Sequence, residues 1–245
     1  MAAPGRPVPE SATDGARAGA GSALDAATAA RIAAAFRSGR WYGNHTAYFY
    51  TRAKLRSDPL YPGVADALRG CGAPLLDLGC GMGLLAHALR DAGLDMPYRG
   101  VDIDVPKIAH AVRAAANAGL HDATFEAMDL AARMPSHHGS VAILDVLQFV
   151  SPAAQAAILD AAVAMLAPGA RLVIRTGLDD DSARARTTRR IDALSRALRW
   201  MNAGPQAYPD PDALRTRFDA AGLSSTFAPL YGRTPFNNWL VVATR

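Results

Sequence analysis

The sequence has no long apolar run and almost no lysine. No stretch of 18 or more apolar residues occurs in its 245 residues, so a membrane-spanning helix is not expected. Lys54 and Lys107 are its two lysines, against 24 arginines, and the net charge is +4. Because the basic residues form no uninterrupted tract, the composition favours a slightly basic solvated surface over a nucleic-acid-binding surface.

Cysteine is also scarce. Cys71 and Cys80 are too few and too far apart for a disulfide framework, a redox motif or a metal site. His137 and His138 adjoin each other but have no third ligand nearby, so no metal site is expected there. Cys80 is interpreted as a small packing residue. The sequence therefore favours a reducing, cytoplasmic location.

Three parts of the chain differ in composition. Residues 1–24 are rich in Ala, Gly, Pro and Ser and predict a disordered tail, and residues 25–72 predict a helical cap or lid. Residues 73–245 alternate strand and helix patterns, which is typical of an α/β, doubly wound, mostly parallel sheet. The predicted helices are 26–38, 62–72, 83–93, 105–118, 152–167, 181–202 and 211–222. The predicted strands are 75–78, 97–103, 123–128, 141–147, 170–176, 224–230 and 238–244.

A glycine-rich turn follows the first strand. Gly79, Gly81 and Gly83 lie between the apolar stretch 75–78 and a helix pattern, so a ligand can approach the backbone closely there. The dinucleotide fingerprint places its third small residue one position later, where this chain has Leu84. The spacing therefore argues against a dinucleotide ligand.

Acidic residues follow the next three strands. Asp102 lies 19 residues beyond Gly83, where a carboxylate can accept hydrogen bonds from two ribose hydroxyls. Asp104 is assigned instead to the N-cap of the following helix. Asp129 follows the third strand and can accept from an adenine amino group, and Asp145 ends the fourth. Since parallel strands end at one edge of a sheet, these acids predict one nucleoside-binding edge.

With these residues in place, 75–176 resembles the cofactor-binding core of class I S-adenosylmethionine (SAM)-dependent methyltransferases. The resemblance implies a strand order of 3-2-1-4-5-7-6 with the seventh strand antiparallel. It also implies that the three glycines face the methionine part of SAM and that the backbone near Asp145 binds its amino group. The implied cofactor contacts are Asp77, Gly79, Gly81, Gly83, Asp102, Ile103, Met128, Asp129, Leu130 and Asp145.

Two stretches outside this core resemble small methyltransferases of aryl polyene pigment clusters. They are residues 51–64 (TRAKLRSDPLYPGV) and 231–245 (YGRTPFNNWLVVATR). The chain departs from the commonest core pattern at Gln148, where many relatives carry His. A catalytic base that sits at this position in those relatives would be missing here.

Residues 41–63 interleave aromatic and basic side chains. The aromatic side chains of this segment are explained equally well as core residues beside the sheet and as part of a lid over the ligand. His45 is the histidine best placed to act as a base, although a surface or lid position is favoured. The predicted acceptor-binding residues are Tyr48, Tyr50, Arg52, Lys54, Arg175, Trp200, Asn237 and Asn238. Among them, Arg52, Lys54 and Arg175 could bind an acidic acceptor or the SAM carboxylate.

Absent motifs narrow the reaction. No Asn/Asp-Pro-Pro-Tyr or Pro-Cys follows the fourth strand, and no metal-ligand cluster is present, which leaves methylation of a small molecule at oxygen or carbon. One alternative is an NAD-dependent reductase, but Leu84 and the lack of a Tyr-x-x-x-Lys pair argue against it. The other alternative, a non-catalytic SAM-binding protein, stays open because methyl transfer requires few catalytic side chains. The oligomeric state is not predicted.

Overall fold

The computed structural model describes residues 21–38, 45–179, 206–232 and 236–245. Several sequence predictions lie outside these ranges: most of the tail 1–24, the helix 181–202 with Trp200, and the aromatics at 41 and 42. Within the described ranges, no helix combines the length and the apolar character needed to cross a bilayer.

One seven-stranded sheet runs through the described residues. Its strands are β1 (Leu75–Leu78), β2 (Tyr98–Asp102), β3 (Ala123–Ala127), β4 (Ser140–Leu144), β5 (Arg171–Gly177), β6 (Ser224–Pro229) and β7 (Asn238–Thr244). The strand order is β3-β2-β1-β4-β5-β7-β6. Strands β1 to β5 pair in parallel, while β7 runs antiparallel to β5 and β6. The predicted fold class and strand order are confirmed.

Seven α-helices lie in the described residues, and polar side chains cap four of them. They are α1 (Ala26–Ala34), α2 (Thr46–Ser57), α3 (Leu60–Leu68), α4 (Leu84–Asp91), α5 (Val105–Ala118), α6 (Pro152–Ala164) and α7 (Pro211–Ala220). Asp104 accepts the Lys107 N–H at 3.0 Å, and Gly119 ends α5 with a positive φ of 62°, so the predicted helix 105–118 is confirmed. Helix α6 is shorter than the predicted 152–167.

Strand β4 ends earlier than the predicted 141–147. Its last strand residue is Leu144, and Asp145 follows with a φ of +58°, a left-handed conformation that no strand residue adopts. A short 3₁₀ helix, Leu147–Phe149, comes next. The backbone therefore turns sharply at the carboxyl edge of the sheet, immediately beside β1.

The N-terminal helices share a buried core with one face of the sheet. Ile32 of α1 and Leu68 of α3 belong to the same apolar cluster as Leu75 of β1 and Leu89 of α4. Helix α3 begins before the predicted 62–72 because the Asp58 carboxylate accepts the N–H of Leu60 at 3.0 Å. Part of the segment 41–63 therefore packs in the core beside the sheet. A separate cap domain stays a prediction.

His87 is buried on α4 inside this cluster. Its ring lies 4.9 Å from the ring of Phe36, centroid to centroid, and Nε2 has no hydrogen-bond partner within the described part of the chain. Burial in these surroundings lowers the pKa of His87 to about 4. The folded protein therefore holds this imidazole neutral at a pH where an unfolded chain would protonate it.

We expect His87 to make the fold acid-sensitive. Between its ordinary pKa of about 6.5 and about pH 4, the unfolded chain binds a proton that the folded chain does not, so this residue lowers the free energy of unfolding by about 2–3 kcal/mol as the pH falls. Denaturant titrations of the wild type and His87→Leu at about pH 7.5 and about pH 4.5 measure the effect. The variant should lose less stability on acidification; an equal loss would contradict this role.

Candidate active site

The three glycines of the turn differ in how much space an added Cβ would have. A Cβ at Gly79 would overlap the Val146 side chain, and one at Gly83 would lie 2.5 Å from Cε1 of Phe125. At Gly81, which has a φ of +56°, a Cβ would meet nothing within 4 Å. Gly83 does not line the cavity described below, so its contact with a ligand stays a prediction. Gly81 presents open backbone to the space beside the turn.

Asp102 holds the turn from the end of β2. Its Oδ2 accepts the Gly81 N–H at 2.8 Å, and its Oδ1 accepts the Asp104 N–H at 2.9 Å. A carboxylate has about four acceptor sites, so two further donors can bind to it. The sequence placed Asp102 at this edge, but the hydrogen bond to the glycine turn shows only in the structure.

Cys80 is a packing residue, as the sequence suggested. A Cβ on Gly100 would lie 2.7 Å from its Sγ, so the sulfur fills the space that this glycine leaves. Burial raises the pKa of the Cys80 thiol far above its ordinary value. A raised pKa keeps the thiol protonated, and a protonated thiol is a poor nucleophile.

Asp77 is a buried acid at the end of β1. Its Oδ2 accepts a hydrogen bond of 2.5 Å from the Tyr98 hydroxyl, whereas Oδ1 has no partner among the described residues. Burial raises the pKa of this carboxyl to about 7, although the Tyr98 hydrogen bond acts in the opposite direction. A buried carboxyl with an unpartnered oxygen fits a ligand that carries positive charge.

One cavity of about 1830 Å³ lies along the carboxyl edge of the sheet. This exceeds the ordinary range of about 300–1,000 Å³ for a single-ligand site, so a nucleoside and a second small molecule fit together. Nine of the ten predicted cofactor residues line it, all except Gly83: Asp77, Gly79, Gly81, Asp102, Ile103, Met128, Asp129, Leu130 and Asp145.

Apolar side chains occupy the part of the cavity beside β2 and β3. Ile103 is 68% exposed although it is fully apolar, and it lies on the wall together with Leu130 and the buried Met128. Asp129 is exposed nearby and accepts the Ala131 N–H through Oδ1. A flat apolar ring with a polar edge suits this combination of side chains.

Few of the predicted acceptor residues reach this cavity. Tyr50 and Lys54 of α2 line it, whereas Tyr48, Arg52, Arg175, Asn237 and Asn238 do not, and Trp200 lies outside the described residues. Tyr48 packs instead against the Arg37 guanidinium, 4.6 Å from its ring centroid. Buried Asn237 donates to the Leu178 carbonyl at 3.3 Å and accepts from the Trp239 indole at 3.2 Å, so it braces the chain before β7.

Arg175 belongs to a buried charge cluster, which comprises Lys54, Asp58, Asp145 and Arg175. Arg175 is 3% exposed and pairs with Asp58 at 3.2 Å and with Asp145. Lys54 pairs with Asp58 at 2.8 Å and lies 4.0 Å from Asp145. The expectation that Arg175 binds an acceptor is therefore corrected, because its charge is compensated inside the protein.

Lys54 is the cation of this cluster that lines the cavity. Burial opposes its charge, but the Asp145 and Asp58 carboxylates raise the pKa of Lys54 above its ordinary value. It therefore stays positively charged. Sequence reasoning missed Asp58, although its spacing of four residues from Lys54 is a recognisable helical ion-pair signal.

The histidines and Gln148 are placed as follows. His45 directly precedes α2 and does not line the cavity, whereas His110 of α5 does, with Nδ1 2.7 Å from Arg113. Buried Gln148 accepts the Thr176 hydroxyl at 3.1 Å. Among the described residues, no group of three or more His, Cys, Asp or Glu could hold a metal ion.

The edge of the sheet thus combines an open glycine turn, an acid after β2 and an apolar wall with an acid after β3. Residues 75–169 match the family model described as a methyltransferase domain. These residues form a SAM-dependent methyltransferase domain. Its strand order is that of class I, and the unpartnered oxygen of Asp77, the open Gly81 and the acceptor sites of Asp102 fit SAM as the cofactor of this methyltransferase.

Three other methyltransferases are similar to it. A tRNA (guanine-N(7)-)-methyltransferase of Halorhodospira halophila is 29% identical over 174 residues, which are 64% of this chain and 73% of that protein. A ubiquinone biosynthesis O-methyltransferase of Xylella fastidiosa is 33% identical over 107 residues, which are 43% of this chain and 42% of that protein. This methyltransferase therefore spans less than half the length of that O-methyltransferase.

The third is a crystal structure, magnesium protoporphyrin IX methyltransferase from Synechocystis PCC 6803 with bound S-adenosylhomocysteine (SAH). It superposes with a TM-score of 0.58 at 19% identity and covers 88% of this chain and 93% of its own. At this identity the comparison shows a shared fold.

Proposed function

We propose that this methyltransferase transfers the methyl group of SAM to an oxygen or carbon atom of a small aromatic or acidic molecule. The observation that carries the proposal is that one cavity is lined both by the glycine turn with Asp102 and by Tyr50 and Lys54 of α2. Support also comes from the relative named as an O-methyltransferase of ubiquinone biosynthesis.

The cavity residues suggest how the cofactor lies. Asp102 would accept from the ribose hydroxyls through the acceptor sites that Gly81 and Asp104 leave open. Asp129 would accept from the adenine amino group, with Ile103 and its apolar neighbours against the ring. The methionine part would lie along the open backbone at Gly81, with its amino group near the turn at residue 145.

The chain itself contributes alignment and exclusion of water. Bound SAM supplies an already activated methyl group, so the protein must place an acceptor atom in line with it. Tyr50 and Lys54 line the cavity, and the Lys54 ammonium, which Asp58 holds at 2.8 Å, would donate one of its remaining N–H groups to an acidic group of the acceptor. A phenolate or carboxylate acceptor needs little help from a base, which agrees with Gln148 at the position where many relatives carry His.

We propose that nucleic acid is not the acceptor, although one relative is named as a tRNA methyltransferase. Six arginines of the described surface are paired with acids, which reduces the positive charge that they offer to a phosphate backbone. The pairs are Arg31–Asp91, Arg69–Asp66, Arg99–Glu126, Arg133–Glu126, Arg215–Asp212 and Arg217–Asp160. A cytoplasmic location is proposed with this function, in agreement with the free thiols of Cys71 and Cys80.

The experiment is methyl transfer from radiolabelled SAM. The purified chain is incubated with hydroxybenzoic acids, with their methyl esters, with dihydroxynaphthoic acids and with bulk tRNA, and Gly81→Val serves as the inactive control. We expect label in the phenolic acids and less label in the esters, which lack the charge for Lys54. Label in tRNA but in none of the small molecules would contradict the proposal.

Asp102→Ala tests the proposed ribose contact. The substitution removes charge-assisted hydrogen bonds to the ribose and to the Gly81 N–H, each worth about 1.5–3 kcal/mol. We expect SAH binding to weaken by a few kcal/mol, on the order of 100-fold, in a calorimetric titration. Asp104→Ala, which removes a helix cap beside it, is the control and should keep most of the affinity. Unchanged affinity in Asp102→Ala would show that the ribose is held elsewhere.

A further inference from the structure

The fold does not require the contact between Asp77 and Tyr98. Both side chains are 2% exposed, and the phenol donates to the carboxyl across 2.5 Å. A buried acid without a cation beside it destabilises a fold, and an apolar residue would pack at less cost. Asp77 lines the cofactor cavity beside the glycine turn, whereas Tyr98 does not line it.

Tyr98 is itself held rigidly. Its ring packs on Phe125 at 5.6 Å between centroids, and Phe125 fills the space that Gly83 leaves beneath the turn. The strand register places Tyr98 opposite Leu75, on the same face of the sheet as Asp77 two residues further on. The hydroxyl therefore has a fixed position and engages one defined oxygen, Oδ2, while the buried Oδ1 has no hydrogen-bond partner among the described residues.

Among the residues that the structure describes, no cation acts on the Asp77 carboxyl. The groups that act on it are the Tyr98 hydroxyl and the Asp102 carboxylate, with the Cys80 thiol adjacent and Tyr61 of α3 beyond Tyr98. All of these are neutral or negative at neutral pH. Burial and Asp102 therefore disfavour the charged carboxylate, whereas the Tyr98 hydrogen bond favours it.

We propose that Tyr98 is a positioning residue that holds the Asp77 carboxyl with one oxygen free for the positively charged part of the cofactor, and that cofactor binding releases a proton from Asp77. The proton leaves the carboxyl for solvent, and the ligand's positive charge replaces it beside the carboxylate. The inference rests on the proposed function, because it requires SAM or SAH in this cavity. Cofactor affinity then rises with pH until Asp77 is ionised in the free protein.

The experiment is calorimetric titration of the full chain with SAH at about pH 6, 7, 8 and 9, in two buffers of different ionisation enthalpy. For the wild type, whose Asp77 carboxyl has a pKa of about 7, we expect affinity to rise about tenfold between pH 6 and 8, with proton release at the lower pH values. Asp77→Asn should bind more weakly and lose most of this pH dependence.

Tyr98→Phe tests whether Tyr98 positions the Asp77 carboxyl or only packs beside it. Because the phenol hydrogen bond favours the carboxylate, its loss raises the Asp77 pKa, so the rise in affinity should shift to higher pH and binding should recover at about pH 9. Tyr61→Phe removes another buried hydroxyl that does not bond to Asp77, and its profile should keep the wild-type midpoint.

Each outcome has one meaning. An equal loss of affinity at every pH in Tyr98→Phe would make Tyr98 a packing residue and overturn the proposal, as would a flat wild-type profile. Failure of SAH to bind at any pH would instead overturn the proposed function.

Discussion

Gly81→Val is expected to abolish cofactor binding and leave the chain folded. The Gly81 backbone has a φ of +56°, and a Cβ there meets no protein atom within 4 Å, so a side chain points into open space. That space is the cavity beside the glycine turn, where the proposed cofactor lies against the backbone. A branched side chain would occupy it, and we expect SAH affinity to fall by more than about 100-fold, or roughly 3 kcal/mol.

Gly93→Val is the matched control for this substitution. Gly93 has a φ of +74° and also has nothing within 4 Å of a Cβ, but it follows α4 and does not line the cavity. Both variants therefore carry similar backbone strain, about 1–2 kcal/mol. Thermal melting should show comparable stability for the two, while calorimetry should show SAH binding in Gly93→Val alone. Normal binding by folded Gly81→Val would mean that the turn does not contact the cofactor.

Arg175→Met is expected to destabilise the fold by about 3–5 kcal/mol, since removal of one partner leaves a buried ionic group uncompensated. Asp58 and Asp145 would then share the single cation of Lys54 in the interior. Urea titration of the wild type and the variant at about pH 7.5 measures the loss.

The pH dependence distinguishes lost charge from lost packing. Burial raises the pKa of Asp58, but Arg175 and Lys54 hold it below its ordinary value, so loss of Arg175 should raise the pKa of Asp58. The deficit of Arg175→Met should therefore shrink at about pH 4.5, where Asp58 of the variant binds more protons. Arg171→Met on the same strand, which loses a contact to the Ala67 carbonyl, should cost about 1 kcal/mol at either pH. A pH-independent deficit in Arg175→Met would contradict the charge argument.

Local signals in the sequence were sufficient for much of the fold. The Asp104 cap and the glycine after residue 118 fix helix α5 at its predicted bounds, and apolar runs between turns locate the buried strands. The strand order came from the resemblance of residues 75–176 to class I methyltransferases. The position of Asp102 at the edge of the sheet followed from its distance to the glycine turn.

Features that depend on distant partners could not be predicted. Arg175 at a strand end has the sequence signature of a ligand-binding cation, but its burial depends on Asp58, 117 residues away. The three glycines are equivalent by spacing, and only the positions of Val146 and Phe125 show which of them is open. Tyr98 gives no local signal, because its contact with Asp77 follows from the pairing of β1 with β2.

Calorimetric titration of the purified chain with SAH and with NAD distinguishes a SAM site at the glycine turn from a dinucleotide site. A SAM site predicts saturable one-site binding of SAH, loss of that binding in Gly81→Val, and no binding of NAD. Tight NAD binding without SAH binding would contradict it.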